Sequence, residues 1–403
     1  MFSMEFSKRT AWNTEESDLA VAHRMRLAAG LSVADLTASN PTRCGLNYPG
    51  NLLIPLADRG AFDYDPDPRG KLDAREAVCR YYASHGVRVS PEQVLLTTST
   101  SEAYGYLFKL LMDPGDTVLV PQPSYPLFDF LAQAESVELA QAPLVYDHGW
   151  QLDLEGLRRQ ITPRTRAVVL VHPNNPTGHF TKLEETRELA AVCREHDLAL
   201  IVDEVFLDYA LGAGDFGLDH STFAARDLDV LTFIVSGISK ICGLPQMKVA
   251  WLAARGPGSE QALARLEVLA DTWLSMNAPI QQALPVWLDS LDAIQDQIRQ
   301  RVRGNLAELD RVLVEQSQEG GILVNRLLAE GGWYAILRIP ALQPDEVTVR
   351  DLLDLGVWVH PGYFFGMSQS GWLVVSLLTP MHEFSTGLAV LLVYLRRNHS
   401  SYL

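Results

Sequence analysis

Short apolar runs alternate with amphipathic stretches over the first two thirds of the chain. Five runs rich in aliphatic and β-branched residues end at turn residues, and they predict buried strands at residues 94–98, 117–120, 167–171, 198–202 and 231–235. The stretches between them predict helices, for example at residues 101–111, 182–195 and 258–270. Strands that are apolar throughout and alternate with helices indicate a mostly parallel sheet covered on both faces. The expected ligand site of such a sheet is the crevice beyond the carboxyl ends of its strands.

The pattern changes after about residue 275. Residues 285–313 predict one long, charged, amphipathic helix, residues 333–339, 357–360 and 373–378 predict strands, and residues 384–397 predict a last helix. The first 45 residues are polar, show no clear strand and are expected to form an arm that joins this second α+β unit. We therefore predict three parts: an N-terminal arm with part of a small domain (1–45), a large domain (46–285) and a small C-terminal domain (286–403).

The composition is that of a globular protein, with 47% hydrophobic and 20% charged residues in a chain of 403. The 33 basic and 49 acidic residues give a net charge of −16, which disfavours nucleic acid or an anionic membrane as the main partner. No run reaches about 18 apolar residues, and the N-terminus lacks the apolar core of a signal peptide. The four cysteines are scattered and show no metal-binding spacing, so we expect a reducing, cytoplasmic location.

Polar residues follow four of the apolar runs, at the point where each strand ends. They are residues 97–102 (TTSTSE), residues 172–178 (HPNNPTG), Asp203 with Glu204, and residues 236–240 (SGISK). Each group alone has an ordinary structural explanation, such as a helix cap or a turn. Because the carboxyl ends of parallel strands meet at one edge, the four groups together predict a ligand site there.

The chemistry of these residues points to one cofactor. The hydroxyl and N–H groups of residues 98–101 lie at a predicted helix N-terminus, which suits a phosphate. Asp203 is a partly desolvated carboxylate that can pair with a protonated ring nitrogen. Lys240 follows a buried strand, and an apolar setting favours the neutral amine that forms Schiff bases. Phosphate site, carboxylate and imine-forming lysine together describe the site of pyridoxal 5′-phosphate (PLP).

The lysine segment also resembles a known family. Residues 236–240 (SGISK), followed by residues 243–245 (GLP) and 248–251 (KVAW), are similar to the lysine motif of fold-type I, class I/II aminotransferases of the aspartate aminotransferase-like superfamily. Further motifs match in the family's order: residues 64–70 (YDPDPRG) with Arg75, 114–116 (PGD), 175–178 (NPTG), 203–205 (DEV) and 361–362 (PG). The resemblance covers about residues 30 to 395, and it implies a large domain with a mostly parallel seven-stranded sheet and a smaller α+β domain.

The resemblance also implies roles for individual residues. Lys240 is the catalytic residue that forms the Schiff base, Asp203 pairs with the ring nitrogen, and Asn175 donates to the ring's 3′ oxygen. The implied phosphate-binding residues are Thr98, Ser99, Thr100, Ser236, Ser239 and Lys248. Tyr125 stacks on the ring, Tyr64 reaches the phosphate of a neighbouring subunit, and residues 275–277 lie near the same boundary. A homodimer that exchanges an amino group between an amino acid and a 2-oxo acid is implied; a lyase, racemase or decarboxylase of the same fold is the alternative.

Three positions depart from the family pattern. Lys248 stands where the family usually has arginine, and Phe206 stands where it usually has tyrosine. Val374 occupies the position of the arginine that pairs with the substrate carboxylate, and a valine cannot form that pair. Either another cation takes over or the substrate lacks a carboxylate at that place.

The candidate replacements lie in two segments. Arg43 is the first candidate because its loop, residues 39–43 (SNPTR), borders the substrate in the family, and Asn40 in the same loop is a further substrate-contact candidate. Arg338 is the weaker candidate, since a strand-end arginine commonly reaches to the surface. Trp333 is predicted to shape an aromatic wall of the substrate pocket.

Overall fold

A computed structural model describes residues 4–212, 220–318 and 324–400. In chain order its strands are β1 (Ala34–Asp35), β2 (Val94–Thr97), β3 (Thr117–Gln122), β4 (Glu138–Tyr146), β5 (Trp150–Leu152), β6 (Thr165–Val171), β7 (Ala199–Asp203), β8 (Thr232–Gly237), β9 (Ala250–Arg255), β10 (Asn325–Arg326), β11 (Tyr334–Arg338), β12 (Val357–Trp358), β13 (His360–Pro361) and β14 (Trp372–Ser376).

The helices alternate with these strands. They are α1 (Asp18–Ala28), α2 (Leu72–Ser84), α3 (Thr100–Leu111), α4 (Leu127–Ala134), α5 (Leu154–Gln160), α6 (Leu183–Glu195), α7 (Ile238–Ile241), α8 (Ser259–Trp273), α9 (Ala278–Asp289), α10 (Asp292–Gln318), α11 (Asp345–Asp354) and α12 (Met381–Ser400). Short 3₁₀ turns lie between them at Lys8–Thr10, Pro41–Arg43, Gly50–Ala57, Arg59–Phe62, Pro91–Gln93, Phe223–Ala225, Pro245–Met247 and Gly362–Phe365.

The large sheet has the strand order β2-β9-β8-β7-β6-β3-β4-β5. The run from β8 to β4 is parallel, whereas β9 is antiparallel to both of its neighbours. This confirms the predicted mostly parallel α/β sheet. The short strand β5 folds back on β4 as an antiparallel edge partner, so the sheet in the described residues carries one strand more than the seven expected.

Helices cover both faces of this sheet, and this explains the unbroken apolar runs. Along β2, for example, Val94 and Leu96 pack into the core on one face and Leu95 packs into the core on the other. Every residue of β7 and β8 is buried. Strands buried on both faces need apolar residues at consecutive positions rather than alternate ones, which is the signal in the sequence.

The second sheet is small and antiparallel, in the order β10-β11-β14-β13. A separate parallel pair joins β1 to β12, with Ala34 opposite Val357. Leu19 and Leu36 from the first 45 residues lie in the same hydrophobic core as the residues of the small sheet. These contacts agree with the expected arm, and the domain boundaries at residues 45 and 285 stay a prediction.

The predicted single helix over residues 285–313 is wrong. Pro285 lies inside α9, which ends at Asp289, and α10 begins at Asp292. At the break the Ser290 N–H bonds to the carbonyl of Trp287. The amphipathic pattern continues across this turn, so periodicity alone does not reveal it.

Several elements are not apparent from the sequence pattern. The helix α1 and the two-residue strand β1 lie in the segment where no strand was expected. The strand β4 has no apolar run, because it is only partly buried near the sheet edge. Among the described residues, no helix has the length and apolar composition that crossing a bilayer requires.

Candidate active site

The register of the large sheet brings four strand ends to one edge. Ala250 of β9 lies between two strands and pairs with Thr97 of β2 on one side and with Gly237 of β8 on the other. Asp203, the last residue of β7, pairs with Val171, the last residue of β6. The polar segments that follow these strands therefore start from the same edge, as the sequence analysis expected.

Lys240 lies in α7, the short helix that starts directly after β8. Its side chain is half-buried, and its Nζ lies 5.1 Å from the ring centre of Trp333 and 5.7 Å from that of Phe206. Burial lowers the pKa of Lys240 to about 8, although Asp203 and Cys44 act in the opposite direction. A lysine with such a pKa carries a sizeable neutral fraction near neutral pH, and the neutral amine is the nucleophilic form.

Asp203 is the buried carboxylate of the site, with 8% of its surface exposed. Its Oδ1 accepts a hydrogen bond from the N–H of Val205 at 3.1 Å, and its Oδ2 accepts one from the hydroxyl of Tyr104 at 3.2 Å. Burial raises the pKa of Asp203 to about 6, and these two hydrogen bonds and Lys240 limit the rise. The sequence does not indicate this role of Tyr104, because an aromatic residue on the inner face of a helix is usually a core residue.

Two aromatic residues after Asp203 contact the lysine segment. Phe206 is buried, and its ring faces the Lys240 amine where the family pattern has a tyrosine. Tyr209, three residues later, donates its hydroxyl to the backbone carbonyl of Lys240 at 2.6 Å. This hydroxyl supports the backbone of α7, whereas the side chain of Phe206 has no hydroxyl to offer.

Asn175 sits in a tight loop after β6. The N–H of Gly178 bonds to the carbonyl of Asn174 at 2.7 Å, and the N–H of Asn174 bonds to the carbonyl of His179 at 2.9 Å. Gly178 has a φ of +72°, and a Cβ there would lie only 2.6 Å from the carbonyl oxygen of Gly331, so this position requires glycine. The Oδ1 of Asn175 is buried and has no hydrogen-bond partner among the described residues.

The predicted phosphate-binding turn leads into α3. Ser99 caps this helix, because its hydroxyl accepts the N–H of Glu102 at 3.2 Å. One oxygen of the Glu102 carboxylate accepts the N–H and hydroxyl of Thr98, at 2.6 and 3.0 Å, and the hydroxyl of Ser275 at 3.0 Å. Thr100 is the first residue of α3, and first-turn N–H groups have no partner within their own helix. Glu102 belongs to the polar group at residues 97–102 that predicts the site, but no individual role was predicted for it.

The other three predicted phosphate ligands are placed differently from one another. Ser236 is buried, and its hydroxyl donates to the carbonyl of Glu204 at 3.4 Å. Ser239 is half-buried and directly precedes Lys240. Lys248 is exposed and follows a 3₁₀ turn with a left-handed φ of +55°. The structure therefore places Ser239 beside the lysine and does not bring the three side chains together through a shared contact.

Tyr125 and Tyr64 are both exposed. Tyr125, 46% exposed, lies in the loop before α4, and the preceding Ser124 donates its N–H to the carbonyl of Phe365 at 3.0 Å. A contact with the 3₁₀ turn Gly362–Phe365 thus fixes the loop of the predicted ring-stacking tyrosine. Tyr64 is 83% exposed and lines a surface cavity together with Ser275.

Val374 lies in the middle of β14 and is fully buried. It stands opposite Ile336 of β11 on one side and opposite His360 of β13 on the other. Arg338, the weaker candidate for a replacement cation, stacks on the ring of Trp372 at 4.9 Å and is exposed.

The loop with Asn40 and Arg43 packs on the lysine segment. Asn40 caps the turn Pro41–Arg43 by accepting the N–H of Thr42 at 3.1 Å, and Arg43 is exposed. A Cβ placed on Gly243 would lie 3.6 Å from the Cβ of Pro41. Arg43 therefore belongs to a turn that lies against the segment of Lys240.

Trp333 is fully buried, and its role as an aromatic wall of the substrate pocket stays a prediction. Its ring lies edge-on to Phe206 at 5.3 Å and to Tyr209 at 5.1 Å. The Nε1 of Trp333 is buried without a hydrogen-bond partner among the described residues.

The fold and the site define an α/β protein that gathers an amine, a carboxylate and an amide at the carboxyl edge of a mostly parallel sheet. The chain belongs to the class I and II aminotransferases, because the model of that family matches residues 53–383. This confirms the resemblance that the sequence motifs indicated. Members of this family are generally PLP-dependent enzymes that transfer amino groups.

Two relatives illustrate the similarity. The chain is 31% identical over 349 residues to an alanine aminotransferase of Mycobacterium tuberculosis. The match covers 82% of this chain and 78% of that protein. It is 29% identical over 272 residues to the glutamate-pyruvate aminotransferase AlaA of Escherichia coli. That match spans 66% of this chain and 66% of the length of the relative.

Solved structures share the fold. An aminotransferase from Escherichia coli superposes with a TM-score of 0.85 at 24% identity, covering 97% of this chain and 98% of its own. The alanine aminotransferase from Pyrococcus furiosus superposes with a TM-score of 0.86 at 23% identity. This superposition covers 98% of this chain and 100% of the other chain. At these identities the likeness concerns the fold.

Proposed function

We propose that this protein is a PLP-dependent aminotransferase that moves an amino group between an amino acid and a 2-oxo acid, with Lys240 as the catalytic residue. One observation carries the proposal: a half-buried amine with a pKa lowered to about 8 shares a sheet edge with the buried carboxylate of Asp203, in a chain of this family. The names of the relatives favour alanine and glutamate as amino donors.

The residues present fit PLP. The buried Oδ1 of Asn175 has no partner among the described residues, so no protein contact holds this oxygen, and the Nδ2 of the same amide is the atom that would donate to the ring's 3′ oxygen. A protonated ring nitrogen beside Asp203 would offset the burial that raises the pKa of this carboxyl group. The N-terminus of α3, with Ser99 and Thr100, offers backbone N–H groups to a phosphate, and Ser236, Ser239 and Lys248 are the further proposed ligands.

The chain's own residues then have distinct tasks. When bound, PLP supplies an electron sink that stabilises negative charge at the substrate carbon. The Nζ of Lys240 would hold the cofactor. Once freed by the substrate amine, it would take the proton from the substrate carbon and pass it to the cofactor, as amino transfer requires. Phe206 and Trp333 cover this Nζ and exclude water from it, while Tyr125 contributes an aromatic face.

We propose Arg43 as the cation that replaces the missing arginine at position 374, with Asn40 beside it. Two contacts fix their loop on the lysine segment: the hydroxyl of Tyr48 donates to the carbonyl of Gly243 at 2.6 Å, and Pro41 packs next to the same glycine. Arg43 is exposed in the turn that these contacts hold, and we expect its guanidinium to pair with the carboxylate of a substrate bound at Lys240.

We also propose a cytoplasmic homodimer. Tyr64 and the neighbouring Phe62 are 83% and 89% exposed, and a large exposed aromatic pair of this kind is typical of an interface. In the dimer, Tyr64 would reach the phosphate of the partner's cofactor, and the cavity that it shares with Ser275 lies at that boundary.

The test is a visible absorption titration of the protein loaded with PLP. Alanine or glutamate is expected to shift the absorption band, and pyruvate or 2-oxoglutarate is expected to restore it. Lys240→Ala is the matched control, and it should show neither the original band nor turnover. Carbon dioxide or ammonia release without recovery by a 2-oxo acid would instead indicate a decarboxylase or lyase and would overturn the proposal.

A further inference from the structure

His360 lies directly beside Val374 in the small sheet. The strands β13 and β14 are antiparallel, and their register sets His360 opposite Val374. Directly opposed residues point to the same face of a sheet, with their Cβ atoms about 4.5–5.5 Å apart. The imidazole therefore projects into the space next to the position where the substrate-binding arginine was expected.

This face of the small sheet forms a wall of the candidate active site. Every second residue of a strand points to the same face of the sheet. Ser376 therefore shares the face of Val374, and so does Tyr334, which lies opposite Ser376. The hydroxyl of Ser376 donates to the carbonyl of Ala38 at 2.6 Å, and this segment continues into the loop of Arg43. On this same face, Tyr334 lies close to Ser39, in the loop of Arg43, and to Tyr125, the proposed ring-stacking residue.

Rings hold the His360 side chain in place. Its imidazole stacks on Phe364 at 5.1 Å with an interplanar angle of 6°, and Phe365 meets it edge-on at 5.5 Å. The carbonyl of Phe365 accepts the N–H of Ser124, so this hairpin also lies against the loop of Tyr125. The imidazole is thus oriented next to the loop that carries the proposed ring-stacking residue.

The polar atoms of His360 are available to a ligand. The side chain is half-buried, and within residues 4–212, 220–318 and 324–400 it makes no hydrogen bond or ion pair. Burial lowers the pKa of His360 to about 4, with Asp35 acting in the opposite direction. The imidazole is therefore neutral near neutral pH, and one of its ring nitrogens carries an N–H that can donate a hydrogen bond.

We propose that His360 donates a hydrogen bond to the carboxylate of the amino acid and 2-oxo acid substrates, and so supplies from β13 the contact that Val374 lacks on β14. Arg43 supplies the positive charge, whereas His360 supplies a fixed donor that selects the position of the carboxylate. The inference rests on the proposed aminotransferase activity and names a further substrate-binding residue for it.

The first experiment measures the steady-state kinetics of the PLP-loaded protein with alanine and pyruvate. His360→Phe keeps the ring stacking and removes the donor, so KM should rise about tenfold or more while kcat changes less. His360→Gln restores an N–H donor and should recover most of the affinity. His23→Phe is the matched control, because His23 also stacks on an aromatic ring, Trp358 at 4.7 Å, and should leave KM unchanged.

The second experiment measures binding directly. Propionate, which carries a carboxylate but no amino group, is titrated into the loaded wild-type protein while the imidazole Cε1–H resonance of His360 is followed by NMR. The resonance is assigned by its loss in His360→Gln, and we expect it to shift and saturate with propionate.

An unmoved His360 resonance, or a wild-type KM in His360→Phe, would overturn the inference even if the protein transfers amino groups. A wild-type protein without amino transfer would refute the proposed function instead, and the propionate titration would still decide the role of His360. The titration measures binding on the wild-type chain, and the His360→Gln protein serves only to assign the resonance.

Discussion

The hydroxyl of Tyr104 bonds to the buried carboxylate of Asp203, and this single contact makes a pH-dependent prediction. The folded-state pKa of Asp203 is raised to about 6, above the usual value of about 3.9, so stability falls as pH rises through this interval. Tyr104→Phe removes a hydrogen-bond donor to the ionised carboxylate of Asp203, and so it enlarges the loss of stability as pH rises. In urea unfolding of the cofactor-free protein, we expect a loss of about 1.5–3 kcal/mol at pH 8 and a smaller loss at pH 5.5.

Tyr106→Phe is the matched control for this prediction. Tyr106 lies on the same helix, and its hydroxyl lies near Glu102 and Ser275 rather than near Asp203. The loss of unfolding free energy in Tyr106→Phe should be the same at pH 5.5 and at pH 8. Equal losses for Tyr104→Phe at pH 5.5 and pH 8 would mean that the hydroxyl does not stabilise the ionised carboxylate.

At the scale of elements, the sequence predicts what depends on local pattern. The strands β6, β7 and β8 were predicted to within one or two residues, because helices cover both of their faces and their apolar runs are unbroken. The partners within the site depend on tertiary contacts instead. Tyr104 meets a carboxylate 99 residues away, and His360 faces Val374 only through strand register, so no local pattern indicates either pair.

One contact between elements holds both Asn175 and Trp333 in place. The carboxylate of Glu330 accepts the N–H of Phe180 at 2.9 Å and pairs with Lys182, which ties the loop after β6 to the segment before β11. Glu330→Ala should lower the free energy of unfolding by about 2 kcal/mol and should also weaken the affinity for added PLP.

Urea unfolding and a PLP titration monitored by absorbance check this prediction. Glu184→Ala, an exposed glutamate of the neighbouring helix α6, is the control and should leave both quantities unchanged. A Glu330→Ala protein with reduced stability but unchanged PLP affinity would show that the pair stabilises the fold without positioning the site.

At the scale of the whole molecule, the exposed face around Tyr64 predicts that the active unit is a dimer. Leu53, Ile54 and Phe62 are 58%, 69% and 89% exposed within one short segment, and burying such a patch favours association. Sedimentation velocity at micromolar concentration should show a dimer for the wild type and a monomer for the double variant Ile54→Lys/Phe62→Lys. Leu355→Lys is the control, because Leu355 is similarly exposed at the end of α11 and should leave the dimer intact.

We expect the same face to connect assembly to cofactor binding. Tyr64→Phe should sediment as a dimer but bind PLP about tenfold more weakly or worse, because it loses one hydrogen bond to a charged phosphate and no apolar contact. The monomeric double variant should lose at least as much affinity, since the partner's tyrosine is then absent. If the monomer binds PLP as tightly as the wild type, each subunit completes its own phosphate site, and the exposed Tyr64 serves the interface alone.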